Sequence, residues 1–130
     1  MCVEYGHASK RILVVDDDSA IRDAVANTLE DEGYEVSSAE NGLQALNFLA
    51  SRANWHGCVV VLDLMMPQMD GITFLLKLIE LERRPPRVVV VTAAAPARSL
   101  PLNIPVLRKP FSLHQLLEAV ERSCRRPELS

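Results

Sequence analysis

The sequence has few cysteines and no long apolar run. Its three cysteines, Cys2, Cys58 and Cys124, are odd in number and widely spaced, which argues against a disulfide framework and a zinc site. No apolar stretch approaches the roughly 20 residues of a membrane-spanning helix, and residues 1–10 lack the apolar core of a secretory signal peptide. We therefore expect no membrane contact and a cytoplasmic location.

An excess of positive charge and a glycine-rich loop are also missing. The net charge is −3 at pH 7, whereas nucleic-acid-binding domains are usually basic, so we expect no direct binding to DNA. No Gly-rich phosphate loop follows the first apolar run, which argues against a nucleotide-binding fold. With 130 residues, 48% of them hydrophobic, the chain has the size of one domain that folds without disulfides or metal.

Five short apolar runs predict β-strands. They lie at residues 11–15, 34–36, 58–62, 88–91 and 106–108. The run at 58–62 does not alternate with polar residues, which is typical of a strand buried on both faces. Strands that alternate with helices predict an α/β fold with a doubly wound, five-stranded parallel sheet. The expected strand order is 2-1-3-4-5, as in flavodoxin-like folds.

Apolar residues spaced three or four apart predict the helices. The first runs from about residue 19 to 32 and the third from about 72 to 82. Asn41 is expected to cap the second helix, and Ser112 with Gln115 to form a capping box at the last one. The helix between the fourth and fifth strands is expected to be short or missing, because that segment contains three prolines.

The same spacing predicts which residues each helix buries. For the second helix these are Leu46, Leu49, Ala50 and Ala53. For the last helix they are Leu113, Leu116, Leu117 and Val120. The third helix has one apolar stripe at Ile72, Leu75, Leu76 and Ile79 and another at Phe74, Leu78 and Leu81. The second stripe is either covered by neighbouring elements or a partner or dimer surface.

Polar side chains follow the ends of four predicted strands. They are Asp16 and Asp17, Asp63, Thr92 and Lys109. Because parallel strands end at one edge of the sheet, we expect these side chains to converge there. Carboxylates that converge repel each other without a cation, and an open site with oxygen ligands suits Mg²⁺. A cation, an ammonium and a hydroxyl together are groups that stabilise a phosphoryl group.

Each of these residues has a simpler interpretation when taken alone. Asp18 is expected to cap the first helix, and Asp16 and Asp17 could also favour its positive end. Asp70 is more typical of a turn, and Lys109 alone could be a solvated charge. The combination at four strand ends is what favours a functional site.

The sequence resembles the receiver domain of two-component response regulators, either as a stand-alone receiver or as a fragment of a larger regulator. The matching segments are residues 13–18, 61–67 with 69–71, 91–93 and 108–111, in family order. The resemblance extends from Lys10 to Cys124. It implies an irregular extension at residues 1–9, a receiver domain at 10–124 and a tail at 125–130.

The resemblance implies a role for each acidic residue. Asp63 would be the phosphoacceptor, and its phosphoryl group would come from a histidine of a sensor kinase or a histidine phosphotransfer protein. Asp17, Asp63 and the backbone carbonyl of Met65 would bind Mg²⁺ directly, and Asp16 would bind it through a water molecule.

The resemblance also assigns the residues around the phosphoryl group. Thr92 would donate a hydrogen bond to it, Lys109 would pair with its charge, and the Lys109–Pro110 peptide bond would be cis. One residue departs from the family pattern: Val106 stands on the fifth strand where an aromatic switch residue is usual.

Three hypotheses about function follow. The first is a phosphorylatable switch that changes the binding of a downstream protein, acts as a monomer or weak dimer and is no enzyme beyond its own phosphorylation and dephosphorylation. Val106 and the short or missing helix between the fourth and fifth strands motivate the second, a scaffold or adaptor that works without phosphorylation. The third is a small Mg²⁺ phosphatase, although no second acid or base beside Asp63 is visible in the sequence.

Overall fold

Five parallel strands form a single sheet in the order β2-β1-β3-β4-β5. The computed structural model describes residues 10–55, 58–65, 71–81, 87–93 and 104–125. The strands are β1 (Arg11–Val15), β2 (Glu35–Ala39), β3 (Val59–Asp63), β4 (Arg87–Thr92) and β5 (Val106–Arg108). All four neighbouring pairs are parallel, which confirms the predicted fold class and strand order.

Helices cover both faces of the sheet. They are α1 (Ser19–Asp31), α2 (Gly42–Ser51), α3 (Gly71–Leu81) and α4 (Leu113–Arg125), with a 3-10 turn at Ala53–Trp55. Alternate residues of β1, β3 and β4 pack against α2 and α3, and the intervening residues pack against α1 and α4. This double packing explains why β3 carries no polar alternation: Val59–Leu62 are at most 1% exposed. Within the part of the chain that the structure describes, no helix could cross a membrane.

The helix ends have the side-chain caps that the sequence predicts. Asp18 Oδ1 accepts hydrogen bonds from the backbone N–H groups of Ala20 and Ile21 at 3.0 and 3.2 Å. Asn41 caps α2 in the same way. At α4, Ser112 and Gln115 each accept the other's backbone N–H at 3.0 Å, which completes the capping box. These bonds satisfy donors that a helix start would otherwise leave unpaired.

Several predicted helix faces were wrong in detail. The residues that α2 buries are Gly42, Ala45 and Leu49, whereas Ala50 is exposed and Ala53 lies in the 3-10 turn. In α4, Leu113 is 47% exposed because it is the first helical residue and lies ahead of the helix face that meets the sheet. Ala119 and Cys124 are buried instead.

The two stripes predicted for α3 do not separate a core face from a partner surface. Phe74 and Leu78 belong to the core together with Leu75 of the other stripe. Their side chains are at most 1% exposed, so for Phe74 and Leu78 the first alternative holds: neighbouring elements cover the stripe. Leu76 is the large apolar residue of α3 that faces solvent, at 54% exposure.

Some predictions fall on residues outside the described ranges. They are the short or missing helix between β4 and β5, the turn at Asp70, the extension at residues 1–9 and most of the tail at 125–130.

Gly71 brings the start of α3 against the backbone that follows β3. Its N–H donates to the carbonyl of Leu64 at 3.0 Å. A Cβ atom at this position would lie 2.6 Å from the Cα of Leu64 and 2.9 Å from the carbonyl oxygen of Asp63. Only glycine avoids these overlaps, so it sets the path of the chain immediately after Asp63.

We predict that Gly71→Ala lowers the free energy of unfolding by about 1–3 kcal/mol, because backbone atoms must move to accommodate the methyl group. Urea denaturation would measure the change. Lys77→Ala, at an exposed position of the same helix, is the control and should leave the free energy of unfolding nearly unchanged. Equal stability of Gly71→Ala and the wild type would contradict the close approach.

Candidate functional site

Asp63 is the last residue of β3 and is only 4% exposed. Its Oδ1 atom accepts a hydrogen bond from the backbone N–H of Met65 at 3.0 Å. Its Oδ2 atom lies 3.5 Å from Nζ of Lys109. The Asp63 carboxylate therefore lies at the sheet edge. One of its oxygens is fixed by the Met65 N–H, and the other faces the Lys109 ammonium.

Asp16 directly follows β1 and lies beside Asp63. Its backbone N–H donates to the carbonyl of Ala39 at the end of β2. Its Oδ1 atom accepts from the N–H of Asp18 at 2.9 Å, and its Oδ2 atom accepts from Lys109 Nζ at 3.1 Å. Both carboxylate oxygens are thus engaged, and the side chain is buried.

The carboxylate of Asp17 completes an acidic cluster. One oxygen from each of Asp16, Asp17 and Asp63 lies within 4.8 Å of the others. Asp17 is exposed, whereas the other two are buried. Three carboxylates face one ammonium, so a divalent cation would balance the remaining charge. Hard oxygen donors with an exposed side are the ligands that suit Mg²⁺, so the donor set fits this ion.

Lys109 connects β5 to this cluster. Its backbone N–H donates to the carbonyl of Thr92 at 2.7 Å, and its peptide bond to Pro110 is cis, as the resemblance implied. Burial acts to lower the pKa of the Lys109 ammonium, but the hydrogen bond and charge of Asp16, with a contribution from Asp63, raise it above its ordinary value. The ammonium is therefore charged at neutral pH.

Thr92 ends β4 one residue beyond Val91, which is paired with Asp63 across the sheet. The residue is 1% exposed. The register therefore places Thr92 on the strand next to Asp63, at the same edge of the sheet. Met65 is 67% exposed, and its N–H is bound to Asp63; the part of its carbonyl in metal binding remains a prediction.

The pKa of Asp63 is raised above its ordinary value. Burial is the largest cause, and the negative charge of Asp16 adds to it. The Met65 N–H and the Lys109 ammonium stabilise the charged form but do not offset these effects. The ionised carboxylate is thus held in an unfavourable environment, which is a feature of functional sites as well as of structural ion pairs.

The structure also brings a residue to the site that the sequence analysis missed. Arg22 lies on α1, and its Nη1 atom donates to the backbone carbonyl of Asp16 at 2.8 Å. The available signal was its position four residues after the capping residue Asp18, which places it one turn into the helix above the acidic run. Asp18 itself acts as the expected helix cap.

The chain is similar in sequence to a known protein family and to several curated proteins. The family model of the response regulator receiver domain matches residues 12–121. A probable transcriptional regulatory protein of Picosynechococcus is 34% identical over 127 residues, which cover 91% of this chain and 50% of that protein. Response regulator MprA of Mycobacterium sp. (strain KMS) is 36% identical over 121 residues, which cover 89% and 51%. The chain spans about half the length of the curated relatives it matches.

Solved structures show the same similarity in three dimensions. A CheY-like response regulator receiver domain protein from Methanospirillum hungatei JF-1 superimposes with a TM-score of 0.78 at 31% identity. The match covers 88% of this chain and 92% of that one.

We predict that Asp63→Asn raises the Tm at pH 7 in the presence of EDTA. The expected gain is about 3–6 °C, the shift that about 1 kcal/mol produces in a chain of this size. Asparagine can keep the hydrogen bond from Met65 without the buried charge. Because the folded-state pKa of Asp63 is raised, the wild type loses stability as the pH rises through that pKa and regains it at lower pH.

The advantage of Asp63→Asn should therefore shrink as the pH falls towards the ordinary pKa of aspartate. Thermal unfolding monitored by circular dichroism across this pH range would test it. Asp23→Asn, at an exposed position of α1, is the control and should leave the Tm unchanged. A lower Tm for Asp63→Asn at pH 7 would contradict the unfavourable environment described for its carboxylate.

Proposed function

The chain belongs to the response regulator receiver domain family of two-component signalling, and on this premise we propose that Asp63 is its phosphoacceptor. The observation that carries the proposal is the setting of the Asp63 carboxylate. One oxygen is fixed by the Met65 N–H and the other faces the Lys109 ammonium. One of them lies within 4.8 Å of a carboxylate oxygen of Asp16 and of one of Asp17.

The proposed reaction is phosphoryl transfer from a phosphohistidine. A carboxylate oxygen of Asp63 attacks the phosphorus atom, the P–N bond breaks, and its electron pair stays on the imidazole nitrogen. The products are an acyl phosphate on Asp63 and a histidine side chain on the donor protein. A carboxylate that forms such a covalent intermediate is a known form of nucleophilic catalysis.

The acidic cluster would hold Mg²⁺ through Asp17, Asp63 and the carbonyl of Met65, with Asp16 acting through a bound water. Bound there, the ion supplies positive charge that offsets both the carboxylates and the phosphoryl oxygens. The support for this assignment is the charge balance of the cluster, in which three carboxylates face the single ammonium of Lys109.

Thr92 and Lys109 would hold the phosphoryl group from the side of β4 and β5. The hydroxyl of Thr92 would donate to a phosphoryl oxygen, and the Lys109 ammonium would balance its charge. The two residues are already joined by the backbone hydrogen bond from Lys109 to Thr92. A movement of Thr92 at the end of β4 would therefore also move Lys109 after β5, and the reverse. Phosphorylation could in this way change the surface formed by β4 and β5.

The proposed partners are proteins. A sensor histidine kinase or a histidine phosphotransfer protein would supply the phosphoryl group, and a downstream protein would bind the switched surface. The domain would then be a signalling element that catalyses at most its own phosphorylation and dephosphorylation. That this segment makes no direct contact with DNA remains a prediction from its net charge of −3.

A second candidate function rests on Val106. This residue is 36% exposed on β5, at the position where the family usually has an aromatic switch residue. A valine lacks the ring that such a switch would move, which favours an adaptor whose partner binding is independent of phosphorylation. Equal partner affinity of the phosphorylated and unphosphorylated protein would favour the adaptor.

We predict that the wild type gains one phosphoryl group from acetyl phosphate in the presence of Mg²⁺, whereas Asp63→Asn gains none. Intact-mass spectrometry would measure both. EDTA should abolish the reaction of the wild type because the carboxylates then repel the phosphoryl oxygens. Asp23→Asn is the matched control, since it removes an exposed aspartate of α1 and should leave the reaction unchanged.

An adduct on Asp63→Asn, or an adduct on the wild type in EDTA, would contradict the proposed acceptor chemistry. No adduct on a wild-type protein that binds Mg²⁺ would favour the adaptor.

A further inference from the structure

Arg22 is fixed against the acidic run rather than extended into solvent. Its side chain is half-buried, and its Nη1 atom donates to the carbonyl of Asp16 at 2.8 Å. Its own N–H donates to the carbonyl of Asp18 at 2.9 Å, which makes it part of the first turn of α1. The guanidinium therefore ties the start of α1 back to the end of β1.

Asp17 lies between two peptide groups that are both held in place. The carbonyl of the Asp16–Asp17 peptide accepts from Arg22. The N–H of the Asp17–Asp18 peptide donates to Oδ1 of Asp16 at 2.9 Å. Together they set the direction in which the Asp17 side chain leaves the backbone.

The carboxylate of Asp17 has no comparable support of its own. It is exposed, and among the described residues it makes no hydrogen bond or ion pair. Asp16 and Asp63, in contrast, are both buried and paired with Lys109. Among the three carboxylates of the cluster, Asp17 is the one whose placement depends most on its backbone.

We infer that Arg22 is a positioning residue for the proposed Mg²⁺ site: by holding the carbonyl of Asp16, it fixes the peptide that presents the Asp17 carboxylate to the ion. This inference rests on the proposed function, which requires that Asp17 binds Mg²⁺. Groups that orient a metal ligand from behind commonly change the affinity about 10–100-fold when they are removed.

The positive charge of Arg22 should weaken Mg²⁺ binding, whereas its positioning of Asp17 should strengthen it. The direction in which the Mg²⁺ affinity changes on removal of Arg22 therefore tests the inference. A guanidinium near a cation site repels the ion. If Arg22 contributed only its charge, its removal would tighten Mg²⁺ binding. If Arg22 positions Asp17, its removal weakens binding despite the loss of that repulsion.

The test compares the Mg²⁺ affinity of the wild type, Arg22→Met and Arg22→Lys by isothermal titration calorimetry at constant ionic strength. Arg22→Met keeps much of the side-chain length but removes the donors, and we expect about tenfold weaker binding. Arg22→Lys keeps the charge and one donor group, so we expect an intermediate affinity. Arg122→Met removes an exposed arginine near the far end of α4 and should leave the affinity unchanged.

A metal-free measurement gives an independent readout. Hydrogen exchange of the Asp18 amide, which donates to Asp16, should become faster in Arg22→Met in EDTA because the turn loses one of its supports. The amide of Gln44, bound in the same way to Asn41 at the start of α2, is the internal control. Its unchanged exchange would show that the variant is folded.

Unchanged or tighter Mg²⁺ binding by Arg22→Met would overturn the inference. An Arg22 that contacts only the phosphoryl group would give this result, because its removal would leave the Mg²⁺ affinity unchanged. Unchanged exchange of the Asp18 amide would also overturn it. A wild-type protein that binds no Mg²⁺ would instead contradict the metal site of the proposed function. The two failures are therefore distinguishable.

Discussion

The site depends on one lysine ammonium that lies between two buried carboxylates. Nζ of Lys109 is 3.1 Å from Asp16 and 3.5 Å from Asp63, so a single side chain links the ends of β1, β3 and β5. One cation cannot balance both carboxylates, and the exposed Asp17 adds a third negative charge. The site is thus short of positive charge, which makes it suited to a divalent ion.

The fold tolerates this unfavourable charge because its stability comes from elsewhere. Two apolar cores, one on each face of the sheet, surround the strands whose ends carry the polar groups. The charged residues of the site lie at the ends of β1, β3 and β5, and backbone contacts such as that of Gly71 with Leu64 fix the chain after β3. A well-packed scaffold that confines unfavourable charge to one edge suits a binding or catalytic site.

The sheet could be predicted from the sequence because apolar runs specify its strands. The candidate site could be predicted because its residues lie at the ends of those strands. A non-alternating run such as Val59–Leu62 specifies a strand buried on both faces, and parallel strands necessarily bring their ends together. Side-chain surroundings were harder to predict. Spacing gave the period of α3 but not which neighbours cover Phe74 and Leu78, and Arg22 looked like any solvated helix arginine until the path of β1 placed the Asp16 carbonyl beside it.

A crystal structure with Mg²⁺ and beryllium trifluoride, which mimics a phosphoryl group on a carboxylate, would test the central claim most directly. The account predicts the adduct on an oxygen of Asp63, Mg²⁺ bound by Asp17 and Asp63, and hydrogen bonds from Thr92 and Lys109 to the fluorine atoms. An adduct on another carboxylate, or one on Asp63 that Thr92 and Lys109 do not contact, would contradict it.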